Sequence, residues 1–176
     1  NQRKKLSEKG GSNCDVLVMS ATPIPRTMMM TLYGDMDISL IRSKPKNRKE
    51  IKTYTKDANK IYDVINFIKK EISNNNQLFW VCPLIEESKK IDHQSSIKRY
   101  EYLSKIFKDK VGLIHGSVTK DEKDKILNDF FNNKIKILVS TTVIEVGIDF
   151  PNATCIIIED SNKFGLSQLH QLRGRV

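Results

Sequence analysis

The chain has 176 residues, and 30 Lys and Arg against 21 Asp and Glu leave it a net charge of +9 at pH 7. That length holds one full domain and part of a second, and the charge favours a polyanionic partner such as nucleic acid, although lysine spread along a whole chain is more often a solvated surface. Cys14, Cys82 and Cys155 show no CxxC pairing and His93, His115 and His170 are too scattered for ligand spacing, which argues against a disulfide scaffold and a metal site, while no apolar run nears the roughly 18 residues that span a bilayer.

The chain starts at Asn1 rather than Met, so a piece of a longer polypeptide is expected. After a basic, polar start, VLVM at 16–19 reads as a buried strand, and SATPIPRT behind it, with two prolines in three residues, reads as a shaped loop at the strand's C-terminal end. RSKPKNRKE, with Arg42, Lys44, Lys46, Arg48 and Lys49 around Pro45, is a candidate linker: a phosphate-contacting segment or a solvated hinge.

From residue 52 strands and helices alternate. KTYT at 52–55 is a candidate strand, Ile61, Val64, Ile65, Ile68 and Ile72 form a helical stripe after Asp57, and SNNN ends that helix. LFWVCP is a strand in which Trp80 is either a base-stacking platform or core, its apolar neighbours favouring core. A charged loop leads to a helix through Ile97, Tyr100, Leu103 and Phe107, then to the strand VGLIH. Thr119 and Glu122 spell a capping box before Ile126, Leu127, Phe130 and Phe131. ILVS and TCIII add two strands, and the chain closes on a helix with Ser167 as cap and Leu166, Leu169 and Leu172 as its apolar stripe. Near-continuous apolar strands separated by helices predict an α/β fold, a parallel sheet covered on both faces.

Sites in such folds lie at the C-terminal ends of the strands. IHGS, STTVIEVGIDFP and IEDSNKFG all fall there. In the second, Thr141 offers donors to a phosphate, Gly147 a close backbone approach and Asp149 a carboxylate; equally, the stretch is a strand exit with a glycine turn and a proline stop. His115 either serves a ligand or bonds to its own loop. Glu159 and Asp160 stand where a magnesium-binding carboxylate would, but no GxxxxGK[ST] occurs in the chain to cradle a phosphate. Asp121 and Glu122 read as helix-capping charges.

Taken in order, SATPIPRT, IHGS, STTVIEVGIDFP and QLRGRV resemble the C-terminal half of a superfamily 2 helicase, and the likeness covers nearly the whole chain. TLYGDMDIS, WVCPLIEES and FGLSQLHQLRGRV narrow it to the RecG family of ATP-dependent DNA helicases. The transcription-repair coupling translocases are similar through ATPIPRT and LHQLRGRV, and a non-catalytic α/β module with a basic face is the alternative of another class.

The resemblance implies a RecA-like parallel sheet of the P-loop NTPase fold, as the second helicase domain at 46–176, preceded by a remnant of the first domain at 1–45. It implies that Ser20, Ala21 and Thr22 couple nucleotide state to DNA binding, and that His115, Gly116 and Thr141 contact DNA. Gly147, Asp149, Gly174 and Arg175 would contact ATP, with Gln171 and Arg175 in catalytic roles and no metal held by this chain. ATP and magnesium would be bound mainly by an upstream RecA-like domain, with none on this chain alone, which would then be inactive. The implied partners are branched or fork-like DNA and that upstream domain, with no membrane. The implied location is intracellular: cytoplasmic in a bacterium, nuclear or in a DNA-containing organelle in a eukaryote.

Overall fold

The apolar residues at 61, 64, 65, 68 and 72 recur at helical spacing, and a helix, α1 (Ile61–Ser73), buries Ile65 and Ile68 on that stripe. In the computed structural model the described residues are Ser39, Ile41, 50–83, 89–141 and 150–176, with the side chains of 84–94 left out. The chain divides into two units, residues 1–41 and 42–176, and the architecture below is that of the second. The strand expected at VLVM, the basic linker and the SATPIPRT loop lie outside the described residues.

α1 ends in SNNN as expected: Asn74 caps it, and Asn75 takes the left-handed conformation at φ 65° that asparagine tolerates best after glycine. Strand β1 (Gln77–Val81) follows, then α2 (Lys89–Phe107), β2 (Val111–Ile114), α3 (Lys120–Phe131), β3 (Ile137–Ser140), β4 (Ala153–Ile158) and α4 (Leu166–Arg173). The four strands form one parallel sheet in the order β2-β3-β1-β4. β1, central, is buried along its whole length, whereas β4 on the edge is mostly half-buried.

Alternation along β1 divides the core into two layers. Leu78 and Trp80 face a cluster with Ile65 and Ile68 of α1 and Leu103 and Phe107 of α2; Phe79 faces the other way, onto Leu127 and Phe130 of α3. Phe79, Phe130 and Phe150 pack edge to face or tilted, with centroids 5.1–5.9 Å apart. Gly112 permits this packing, since a Cβ there would meet Ile135 Cδ1 at 3.0 Å and Ile126 Cγ2 at 3.1 Å. Helices on both faces of a parallel sheet are the expected architecture.

Two local expectations need correction. Residues 51–57 form no strand; apart from half-buried Ile51 they are exposed, and KTYT joins none of the four strands found among the described residues. α4 is capped by Gly165, not Ser167: the Gly165 amide donates to Gln168 Oε1 at 2.9 Å, which pulls the helix start back to Leu166. Leu166 consequently sits in solvent at 74% exposure, and of the expected stripe Leu172 alone is buried, at 1%.

Candidate functional site at the C-terminal edge of the sheet

Parallel strands bring their C-terminal ends to one edge, and the register fixes which ends are neighbours. Ile114 pairs with Ser140, so His115 and Thr141, the next residues along, stand side by side where β2 and β3 end. The His115 ring is oriented by its own turn: Nδ1 accepts from the Ser117 amide at 3.2 Å, and the Val118 amide donates to the His115 carbonyl at 3.2 Å. The local bond read as an alternative to ligand contact is therefore present. Gly116, at the tip of this turn, is exposed, and a Cβ built there would meet nothing within 4 Å. Thr141 is 4% exposed, and the Ser140 hydroxyl beneath it is buried without a hydrogen-bond partner.

The turn runs straight into α3 through the expected capping box. Thr119 Oγ1 accepts from the Glu122 amide at 3.4 Å, and the Glu122 carboxylate accepts from the Thr119 amide at 3.2 Å and hydroxyl at 2.8 Å. Those bonds from Thr119 hold the Glu122 carboxyl below its ordinary range. Asp121 and Glu122 thus both stand in the first turn of α3, the helix start expected of them.

α4 and the turn after it carry QLRGRV. Leu172 is driven into the core, while Gln171 in α4 and Arg175 just past its end are exposed. The last turn continues past the helix proper, since the Gly174 amide donates to the His170 and Gln171 carbonyls at 3.1 Å and the Arg175 amide to Leu172 at 3.0 Å. Gly174 has φ −72° and ψ −5°, a right-handed conformation open to any residue. A Cβ there would crowd the Gln171 carbonyl at 3.3 Å. Ser20, Ala21, Thr22, Gly147 and Asp149 lie outside the described residues.

A third cluster escaped the sequence reading. Glu159, just past β4, receives Arg99 Nη2 at 2.5 Å and Nε at 3.0 Å, the Trp80 indole N–H at 2.9 Å and the Cys82 thiol at 3.7 Å. The Arg99 guanidinium also lies 5.0 Å from the Trp80 ring centre and 5.6 Å from that of Tyr102. Burial alone would raise the Glu159 pKa; the bonds from Arg99 and Trp80 and the Arg99 charge outweigh it and hold the carboxyl below its ordinary 4.5. Glu159, weighed above as a metal-ligand position, is committed to this fork, and among the described residues no group of three or more His, Cys, Asp or Glu could hold a metal. Arg99 lies 60 residues upstream, so only a half-buried acid after an apolar run, which needs a cation, could have hinted at the pair. Trp80 is 2% exposed, the core placement expected. Burial pushes the Cys82 thiol up to about 12, with Glu159 adding to it, and Cys155 up to about 11; both stay protonated and inert.

Comparison with known proteins follows the same lines. The helicase conserved C-terminal domain family matches residues 58–176. The ATP-dependent DNA helicase RecG of Bacillus subtilis is 51% identical over 99% of this chain and 26% of its own length. RecG of Thermotoga maritima is 49% identical over 99% of this chain and 23% of its own. Among solved structures, RecG bound to a three-way DNA junction superposes with a TM-score of 0.71 and 46% identity, covering 95% of this chain and 22% of that one. The chain thus spans about a quarter of the length of these relatives, and its sheet is of their RecA-like kind.

Proposed function

Because the chain belongs to the helicase conserved C-terminal domain family, we propose that it works as the second RecA-like domain of an ATP-dependent DNA helicase that remodels branched DNA. In this reading residues 46–176 form that domain and 1–45 belong to the first, with Ser20, Ala21 and Thr22 in the coupling loop. ATP and magnesium are held mainly by an upstream domain, and closure of the two domains over ATP drives movement on DNA. His115, Gly116 and Thr141 meet the DNA backbone; Gly147, Asp149 and Gly174 line the nucleotide. A coupling translocase or a non-catalytic basic module fits less well, since RecG proteins align over 99% of the chain at about half identity. The work takes place wherever the cell keeps its DNA, the cytoplasm in a bacterium; no described helix is long and apolar enough to cross a membrane.

The observation that carries the reading is that Gln171 in α4 and Arg175 just past it are both exposed while Leu172 between them is rooted in the core. A guanidinium held this way stabilises charge on the transferring phosphoryl group and senses its departure, and Gln171 beside it orients the reacting groups. In the intact helicase Arg175→Ala should lower DNA-stimulated ATP turnover by about 10³, the scale of an arginine finger, with folding and DNA binding close to wild type. A correctly folded Arg175→Ala enzyme turning over ATP at the wild-type rate would falsify the assignment.

A further inference from the structure

α4 is gripped from two sides. Leu172 is fixed in the core at 1% exposure, and the next residue, Arg173, turns outward to donate from Nη2 to the Ile51 carbonyl at 3.2 Å. Residues 50–56 form no helix or strand, and among the described residues this is the only hydrogen bond they make. Among the described residues, this segment ahead of α1 is thus hydrogen-bonded only to the last turn of α4, the turn that leads to Arg175. The bond also places a cation at the negative end of α4, which favours it. Being exposed and single, it can break and re-form without disturbing the core.

We propose that Arg173 is a positioning residue whose hold on Ile51 couples the direction of the incoming chain to the placement of Arg175. The inference rests on the role given to Arg175 above. Arg173 and Arg175 are two apart, so they point to different sides of the turn, and it is Arg173 that meets the lead-in segment. A pull on the segment ahead of α1 then reaches the Arg175 turn through a single guanidinium, with Leu172 as the pivot. A small displacement of a catalytic group is enough to matter for rate.

The test has two arms. In the 176-residue chain, Arg173→Ala should make trypsin cut after Lys52 at least about threefold faster than in wild type, because the segment loses its hydrogen bond to α4, while the melting temperature stays put. In the intact helicase Arg173→Ala should lower DNA-stimulated kcat by about tenfold with KM for ATP unchanged, and Arg173→Lys, which keeps a charged donor, should recover most of the loss. Equal cleavage at Lys52 in both proteins, or a wild-type kcat for Arg173→Ala where Arg175→Ala is impaired, overturns the coupling alone. A wild-type rate for Arg175→Ala sinks the functional reading and the coupling with it.

Discussion

At the scale of single residues, the Glu159 fork concentrates more interactions than any of the candidate ligand contacts. Its side chains are only 22% and 28% exposed, so removing one partner strands a charge that water reaches poorly. Glu159→Gln keeps the shape and one acceptor for Trp80, yet leaves Arg99 unpaired, and should cost about 2 kcal/mol of stability at pH 7. The pH dependence has a definite sign. A carboxyl held below its ordinary 4.5 in the folded state adds stability that is fully present above that value and is lost as pH falls through the folded pKa. Melting temperatures of wild type and Glu159→Gln should therefore differ at neutral pH and converge in acid; a gap that widens in acid would refute the fork as the source. Trp80, the only tryptophan, reports on the same site: its emission should be blue-shifted and unmoved by single-stranded DNA, and quenching by DNA would overturn its core placement.

At the scale of elements, the turn from β2 into α3 sets the capping role of Thr119 beside the DNA-binding role proposed for Gly116, three residues earlier. Thr119→Ala removes an N-cap and should cost about 1 kcal/mol, read as a drop in melting temperature. Gly116→Ala meets open space and should leave stability unchanged while weakening DNA binding, if the proposed phosphate contact at this turn holds. A Gly116→Ala chain that binds DNA like wild type would remove this turn from the DNA track. The capping box was legible in the sequence because its donors and acceptors lie three residues apart, and α1 was legible because five apolar residues kept its period. α4 was misread at its start since Ser167 is a good cap by residue type, but the reach of Gln168 back to Gly165 depends on the chain's direction out of the turn at Ser161–Lys163. KTYT has the composition of a strand, yet it joins none of the four strands found among the described residues. Nothing local marks Arg99 as the partner of Glu159 or Arg173 as the partner of Ile51, because those pairs are made by the crossing of elements far apart in sequence. Gln171 and Arg175 stand out in the sequence only through the family motif, and the structure adds that both are exposed while Leu172 between them is buried.

At the scale of the whole molecule, the net charge of +9 and the edge carrying His115, Gly116 and Thr141 lead to one expectation for DNA. The phosphate contacts proposed here are few, the four basic residues Lys44, Lys46, Arg48 and Lys49 lie outside the described residues, and much of the lysine is spread over solvated faces. Binding by the chain alone should therefore be weak and governed by counterion release, with a log–log slope against salt of about −2 to −4, roughly 0.9 for each phosphate neutralised. Neutralising Lys44, Lys46, Arg48 and Lys49 together distinguishes the two readings of the linker: a loss of slope makes it part of the track, and an unchanged slope makes it a solvated hinge. The same preparation should hydrolyse no ATP, since no GxxxxGK[ST] is present to hold the phosphates and an arginine finger acts only on a nucleotide that another surface has bound. DNA binding that ignores salt, or that follows base sequence at fixed salt, would mean that groups other than phosphates are being read, and the assignment of this edge to the DNA backbone would fail.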